Sequence, residues 1–293
     1  VVVSYNSSDD LPRFFSALPA ASGAGTDIQV VVADNASTDG SAELVHQLWP
    51  AAEVVRMPQN LGYAAGINAA VRAAEPSDAI LVVNADTRLA PLCIDRLLAG
   101  LVDIDVGIAV PRLVDSNGDL RHSLRREARI ATTLFETIFG GNRSGWLSRF
   151  GETIREPAAY RRSTQADWAT GAAMMISRRC WNTTGPWDES FFLFAEETDY
   201  ALRSRDAGFH LVLVPDAEAM HLEGQSHEDP RLWSMLVINR LRLFRRRNGR
   251  IRSAAFWLAL VINEASRAAI GRRVHRAGLM ALLFKSRRPP EVR

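Results

Sequence analysis

Two acidic clusters beside apolar runs carry the first chemical signal in this chain. One is SFFLFAEETDYALRSR, residues 190–205, in which Glu196, Glu197 and Asp199 follow Phe191, Phe192, Leu193 and Phe194. The other is LVVNADTRL, residues 81–89, in which Asn84 and Asp86 alternate along the end of an apolar run and so point to one side of a strand. Carboxylates next to apolar surface cost desolvation free energy unless a cation or a proton offsets it. A divalent metal accompanied by a phosphorylated substrate supplies such a cation.

The elements that must position these groups follow from the pattern. Short β-branched runs at 1–5, 28–33, 53–57 and 79–84 predict strands. Helical spacing over 9–18, 42–48, from the 60–66 loop to about 74, and over 90–101 predicts the helices between and after them. In the turn cluster DNASTDGS, Ser37 or Thr38 is the expected N-cap of the second helix. Strand and helix alternate four times, which predicts an α/β chain with a mostly parallel central sheet and helices on both faces. Ligands of such sheets bind at the carboxyl ends of the strands, where Asp34, Asn84 and Asp86 fall. Further strands are expected at 108–113, 166–176 and 211–214, and a helix from Glu197 to Ala207 with Asp199 paired to Arg203 one turn on. Residues 120–163 mix arginine, aromatics and glycine, and a partly mobile excursion on the acceptor side is expected there.

The chain has 293 residues, 47% of them hydrophobic, enough for one sizeable core plus a small appendage. Its two cysteines, Cys93 and Cys180, form neither a disulfide framework nor a metal-ligand spacing, and point to a reducing compartment. The opening VVVSYN shows no signal-peptide pattern. The net charge of +2 hides a division: residues 231–293 carry 16 Lys/Arg against 2 Asp/Glu, a net of +14, and residues 1–230 a net of −12. A basic helical tail on an acidic body is expected to meet an anionic partner, here a membrane surface; the alternative is that its helices pack on the body with solvated arginines. Residues 254–270 contain Asn263, Glu264, Ser266 and Arg267, and suit a membrane interface better than a span of roughly 20 apolar residues.

Seven motifs occur in order: VVVSYNS, VVADNASTDGS, NLGYAAGIN, VVNADT, DWATGAAMMISR, GPWDESFFLFAEETDYALRSRDAGF and MHLEGQS. Together they resemble the family 2 inverting glycosyltransferases of the GT-A fold, rhamnosyltransferases among them, over Val1 to about His227. The resemblance implies a catalytic domain over 1–230, with a nucleotide-sugar half to about 105, an acceptor half beyond it and the basic tail as an extension. It implies base contacts from Val3 and Tyr5, and an imide hydrogen bond accepted by Asp34, which otherwise belongs to a capping turn. Asn60 and Gly62 enter a helix in a way that suits a diphosphate, while Gly66 alternatively serves close helix–sheet packing. NADT stands where the family has Asp-x-Asp or Asn-Pro-Asp, with Ala85 in place of proline. Asp86 would ligate Mg2+ or Mn2+, His221 would complete the site with His227 as the fallback, and Asn84 would contact ribose or a metal-bound water. Glu197 falls at the position of the general base, where the family usually has Asp, and Glu196 is the alternative. Trp168, Gly171, Trp187, Asp188 and Glu196 are expected on the acceptor side, the tryptophans either stacking on sugars or filling the core.

The implied activity is inverting transfer of a sugar from a nucleoside diphosphate, dTDP-rhamnose or a UDP-sugar, to a hydroxyl of a glycan or lipid-linked acceptor. The implied place is the cytoplasmic face of the plasma membrane, peripherally bound. A nucleotide-sugar-binding protein without turnover is the rival reading. Nucleic-acid binding lacks a motif beside the arginines. A dinucleotide oxidoreductase lacks G-x-G-x-x-G after the first strand.

Overall fold

A computed structural model describes residues 1–139, 151–222 and 228–292. The first four apolar runs form β1 (Val2–Ser4), β2 (Val31–Asp34), β3 (Glu53–Arg56) and β4 (Ala79–Asn84), with α1 (Leu11–Ala17), α2 (Ser41–Leu48) and α3 (Tyr63–Ala73) between them. The strands lie parallel in the order β3-β2-β1-β4. Ser4 is in register with Asp34 and Val3 with Asn84, so the expected donor residues share one edge.

Beyond β4 the sheet becomes mixed. The elements are β5 (Thr87–Leu89), α4 (Cys93–Ala99), β6 (Val106–Val114), β7 (Leu120–Arg121), β8 (Leu124–Arg125), α5 (Ile130–Phe139), β9 (Thr164–Ala166), β10 (Trp168–Ala169), β11 (Ala173–Ser177), α6 (Arg178–Thr184), α7 (Glu196–Asp206) and β12 (His210–His221). β11 runs antiparallel between β4 and β6, while β12 is parallel to β6 and antiparallel to β5. β12 is far longer than the apolar run that announces it, because it crosses an irregularity between Val214 and Glu218 and continues through polar residues.

Strand alternation builds a core on each face. Leu81, Val83, Ala109 and Met175 pack with α1 and α4, whereas Ile80, Val82, Ile108, Met174 and Ile176 pack with α3 and α7. α3 approaches β1 closely because residue 66 is glycine: a Cβ there would lie 2.7 Å from Val3 Cγ1. The expected Ser37 or Thr38 cap is not used. α2 instead starts at Ser41 after Gly40 (φ 83°), with the Ser41 N–H donating to Asp39. Ser37 Oγ accepts from the Asn6 N–H, tying the SYN turn to the DNAS turn.

The basic tail folds as α8 (Pro230–Arg247), α9 (Arg250–Ala269) and α10 (Arg273–Leu283). Asp229 caps α8 by accepting from the N–H groups of Arg231 and Leu232, and Pro230 takes the first helical position. Met235, Ile238, Leu241, Phe244, Phe256 and Leu260 form a third core, against which Phe192, Leu193 and Phe194 of the pre-α7 loop pack. The acidic body and basic tail meet across α8. Arg247 holds Asp206 at 2.7 Å and Glu127 at 3.0 Å, Arg246 pairs with Asp188, and Arg240 with Glu152. Part of the +14 is therefore matched within the molecule. Such half-exposed pairs contribute roughly 0–1 kcal/mol each, so the apolar seam carries most of the docking.

The contact between α3 and β1 gives a direct test of packing. Gly66→Val should lower the unfolding free energy by about 1–3 kcal/mol through overpacking against Val3, read as a reduced urea midpoint at unchanged slope.

Candidate active site

The site forms where the β1–β4 edge meets the start of α7, and Tyr63 stands at its centre. The Tyr63 hydroxyl donates to Asn84 Oδ1 at 2.5 Å. Burial, followed by the nearby Glu196, Glu197 and Asp86 carboxylates, raises its phenol pKa and keeps it protonated. One side chain thus touches the strand-end motif and the field of the acidic motif, more than a hundred residues later. The motif NLGYAAGIN contains Tyr63, but its glycines drew the reading to the backbone and the tyrosine was missed.

On the donor side, Asp34 is buried at the end of β2. Its Oδ2 accepts from the Ser37 N–H at 3.2 Å, while Oδ1 has no hydrogen-bond partner among the described residues. One oxygen holds the turn and the other is left to accept, as an imide N–H requires. Val3 lies beneath this edge, and Tyr5 is exposed beside it. Asn60 and Gly62 behave differently from expectation. The Gly62 N–H donates to Asn60 Oδ1 at 3.0 Å, and the Tyr63 N–H donates to the Phe192 carbonyl at 2.9 Å. These amides are already engaged within the protein, so the turn braces the site instead of offering them to a diphosphate. Asn35, which the sequence reading passed over, locks the brace: its amide donates to Asn60 Oδ1 and the Gly62 carbonyl, and its Oδ1 accepts from the Leu61 N–H.

Asp86 and His221 come together through the pairing of β5 with β12, which sets Thr87 opposite His221. His221 Nε2 lies 3.4 Å from Asp86 Oδ1, without hydrogen-bond geometry. Asp86 Oδ1 is buried and has no hydrogen-bond partner among the described residues. An unsatisfied carboxylate oxygen beside an imidazole suits a shared cation. No group of three His, Cys, Asp or Glu side chains suitable for a metal occurs among the described residues. Two protein ligands fit a Mg2+ or Mn2+ site whose remaining ligands come from water and substrate phosphate. His227 lies outside the described residues.

The two glutamates differ in environment. Glu196 is buried, and burial followed by the adjacent Glu197 carboxylate pushes its pKa well above the ordinary 4.5. Glu197 is half-buried. Burial raises it too, but hydrogen bonds from the α7 amides and the charge of Arg125 pull it down. The better-stabilised anion is Glu197, the group suited to accept a proton. Gly171 makes room for it, since a Cβ at that position would sit 3.3 Å from Glu197 Cβ. A cavity of about 180 Å³ adjoins Glu197 and Thr198, walled by Trp168, Phe194, Leu236 and Leu243. Trp168 is fixed by its indole N–H donating to the Arg126 carbonyl at 3.1 Å.

Two acceptor-side expectations are corrected. Trp187 is buried and stacks on Tyr200 with ring centroids 4.9 Å apart, while its backbone is pinned by Asn68, so it is core. Asp188 pairs with Arg246 and accepts from the Ser190 N–H. Burial raises its pKa, but the Ser190 and Arg246 hydrogen bonds outweigh this and hold it below the ordinary value. It joins the tail to the body. Asp199 pairs with Arg203 at 2.7 Å, as the helical spacing predicts.

The sequence profile described as Glycosyl transferase family 2 matches residues 1–170, more than half of the chain. The chain belongs to glycosyl transferase family 2. This family 2 chain is rhamnosyltransferase-like. It is 28% identical over 239 residues to the N-acetylglucosaminyl-diphospho-decaprenol L-rhamnosyltransferase of Mycobacterium tuberculosis, covering 77% of this chain and 76% of that one. Two solved structures share the GT-A fold. The mannosyltransferase PcManGT from Pyrobaculum calidifontis, in complex with GDP-Man and Mn2+, superposes with a TM-score of 0.60 at 18% identity, over 98% of this chain and 80% of that chain. GalNAc-T7 with UDP, GalNAc and Mn2+ gives a TM-score of 0.61 at 14% identity, over 83% of this chain and 46% of that chain.

Two substitutions separate the glutamates. Glu197→Gln should lower the transfer rate by at least ~100-fold while leaving donor affinity nearly intact, in steady-state kinetics and calorimetry. Because the Glu197 pKa is raised, the acid limb of kcat/KM should lie above pH 4.5 in the parent enzyme, activity falling as the base is protonated. Glu196 contributes to stability with the opposite sign of an ordinary carboxylate. Its raised folded pKa destabilises the fold as pH rises through and beyond 4.5, and the penalty is absent below that value. Glu196→Gln should therefore raise Tm at pH 8 more than at pH 4.

Proposed function

We propose that this family 2 enzyme is a metal-dependent, inverting transferase that moves a sugar from a nucleoside diphosphate to a hydroxyl of a lipid-linked glycan. The donor proposed is dTDP-rhamnose, with a UDP-sugar as the alternative. The observation that carries the reading is that Tyr63 donates to Asn84 within the field of the Glu196, Glu197 and Asp86 carboxylates, while His221 lies 3.4 Å from Asp86. In this reading the Asp86–His221 edge serves the donor diphosphate and Glu197 serves the acceptor hydroxyl.

Asp34 Oδ1 accepts the imide N–H of a pyrimidine, and Tyr5 covers the base. Asn84, oriented by Tyr63, holds the ribose. Asp86 and His221 would hold a divalent ion, which would neutralise charge on the leaving diphosphate. The acceptor enters the cavity beside Trp168, and its hydroxyl proton passes to Glu197 as the oxygen attacks the anomeric carbon from the face opposite the diphosphate. The relative from M. tuberculosis, named for a diphospho-decaprenol substrate and L-rhamnosyl transfer, supports the choice of sugar and acceptor class. The proposed place of work is the cytoplasmic face of the membrane, with 1–230 as the catalytic domain and the tail as its extension.

Incubating the chain with dTDP-rhamnose, Mn2+ and an N-acetylglucosaminyl-diphospholipid should give an inverted glycosidic product by NMR. Donor binding without product across dTDP- and UDP-sugars would favour the non-catalytic rival. Asp86→Ala should abolish the Mn2+-dependent part of donor binding, measured by thermal shift, and excess EDTA should stop turnover of the parent. Full activity in EDTA would overturn the metal role.

A further inference from the structure

α9 is apolar around most of its circumference, yet only one side of it is covered. The inner side buries Phe256, Ala259 and Leu260. On the outer side Ile251, Ala254, Ala255, Leu258, Ile262 and Ala269 are all exposed. At 100° per residue these six fall within about 60° of one line; Ile251 to Ile262 make a stripe of roughly 17 Å along the helix, and exposed Ser266 separates it from Ala269. Ile251 is 87% exposed, Leu258 51% and Ile262 44%, values that exclude a covered packing surface. A surface helix normally turns its polar residues outward, and a contiguous exposed apolar patch marks an interaction site.

The charge around the stripe selects the occupant. Arg250 and Arg252 flank its start on either side, and Arg245, Arg272, Arg273 and Arg276 are also exposed. The single acidic residue of α8–α10, Glu264, is buried and accepts from the Trp233 indole N–H at 2.8 Å. A second copy of the chain would set arginine against arginine. An apolar protein groove would leave those charges unmatched. An anionic lipid surface satisfies both parts, taking the apolar stripe among its acyl chains and the arginines among its headgroups. Among the described residues no helix is long and apolar enough to cross a membrane, so α9 would lie in the interface.

We propose that the outer face of α9 is a docking surface for an anionic bilayer, with Ile251, Ala255, Leu258 and Ile262 inserted and Arg250 and Arg252 at headgroup level. This builds on the reading of a lipid-linked acceptor, but its test involves no sugar transfer, so the two fail separately. The full chain is floated with phosphatidylcholine vesicles containing either about one-third phosphatidylglycerol or none. Binding to the anionic vesicles is expected. Leu258→Glu/Ile262→Glu should reduce the bound fraction at least about tenfold, and Arg250→Glu/Arg252→Glu should remove most of its salt-sensitive part. Circular dichroism melts should match the parent, because these side chains face solvent; Ile251→Ser serves as a milder second variant. Equal binding to both vesicle types, no binding to either, or unchanged binding by Leu258→Glu/Ile262→Glu with Ile251→Ser would overturn the proposal. So would a dimer in sedimentation equilibrium that Leu258→Glu/Ile262→Glu dissolves, which would give the stripe to a second copy.

Discussion

The active-site geometry depends on how the short segment before α7 is held. Phe194 and Ala195 adopt left-handed backbone angles, φ 67° and 73°, without being glycine. Each such residue costs roughly 1–2 kcal/mol, so the surroundings must compensate. From one side the Phe192 carbonyl accepts the Tyr63 N–H, and Gly62 permits the approach because a Cβ would fall 2.3 Å from that carbonyl oxygen. From the other side the Asn239 amide of α8 donates to the carbonyls of Leu193 and Phe194, at 2.9 and 3.3 Å. The turn that delivers Glu196 and Glu197 is thus clamped between the donor-side loop and the tail. α8 is a structural part of the active site as much as a carrier of positive charge.

This clamp makes sense of the buried acids. Burial destabilises the Glu196 and Glu197 carboxyl groups as anions, and the start of a helix partly offsets that through its amides. Burial raises the pKa of both glutamates; at Glu196 the neighbouring Glu197 carboxylate adds to the rise, whereas at Glu197 the α7 amides and the charge of Arg125 oppose it. Tyr63 supplies a neutral donor between them and Asn84, avoiding a further charge in a crowded acidic space.

Much of the first half of the fold was legible in the sequence, because parallel strands buried on both faces read as apolar runs. Asn84 at a strand end, and Asp199 with Arg203 on a helix, followed from local periodicity; Asp86 does not continue the strand alternation, because β4 ends at Asn84 and Asp86 lies in the turn before β5. The direction of β11 did not, since an apolar run looks the same in either orientation and only the register with Val83 and Ala109 reveals it. Trp187 was ambiguous for a similar reason: a large aromatic beside acids reads equally as a sugar platform or as core. The partners of the tail arginines were invisible, because Asp188 and Arg246, or Glu127 and Arg247, meet only through tertiary docking. Asn35, Tyr63 and Asn239 were missed because their importance lies in what their polar atoms join across distant loops.

The irregularity in β12 also divides the strand into two parts that tolerate insertions and deletions differently. Across it β12 advances four residues, from Val214 to Glu218, while β6 advances one, from Pro111 to Arg112. Side-chain alternation therefore does not run through this stretch, and the facing of His221 toward Asp86 is set by the pairing of Ala219–His221 with β5. A change of length between Val214 and Glu218 is taken up in the irregularity while that pairing is kept. Beyond it, between Glu218 and His221, the loss or gain of one residue moves every following side chain to the other face of the sheet.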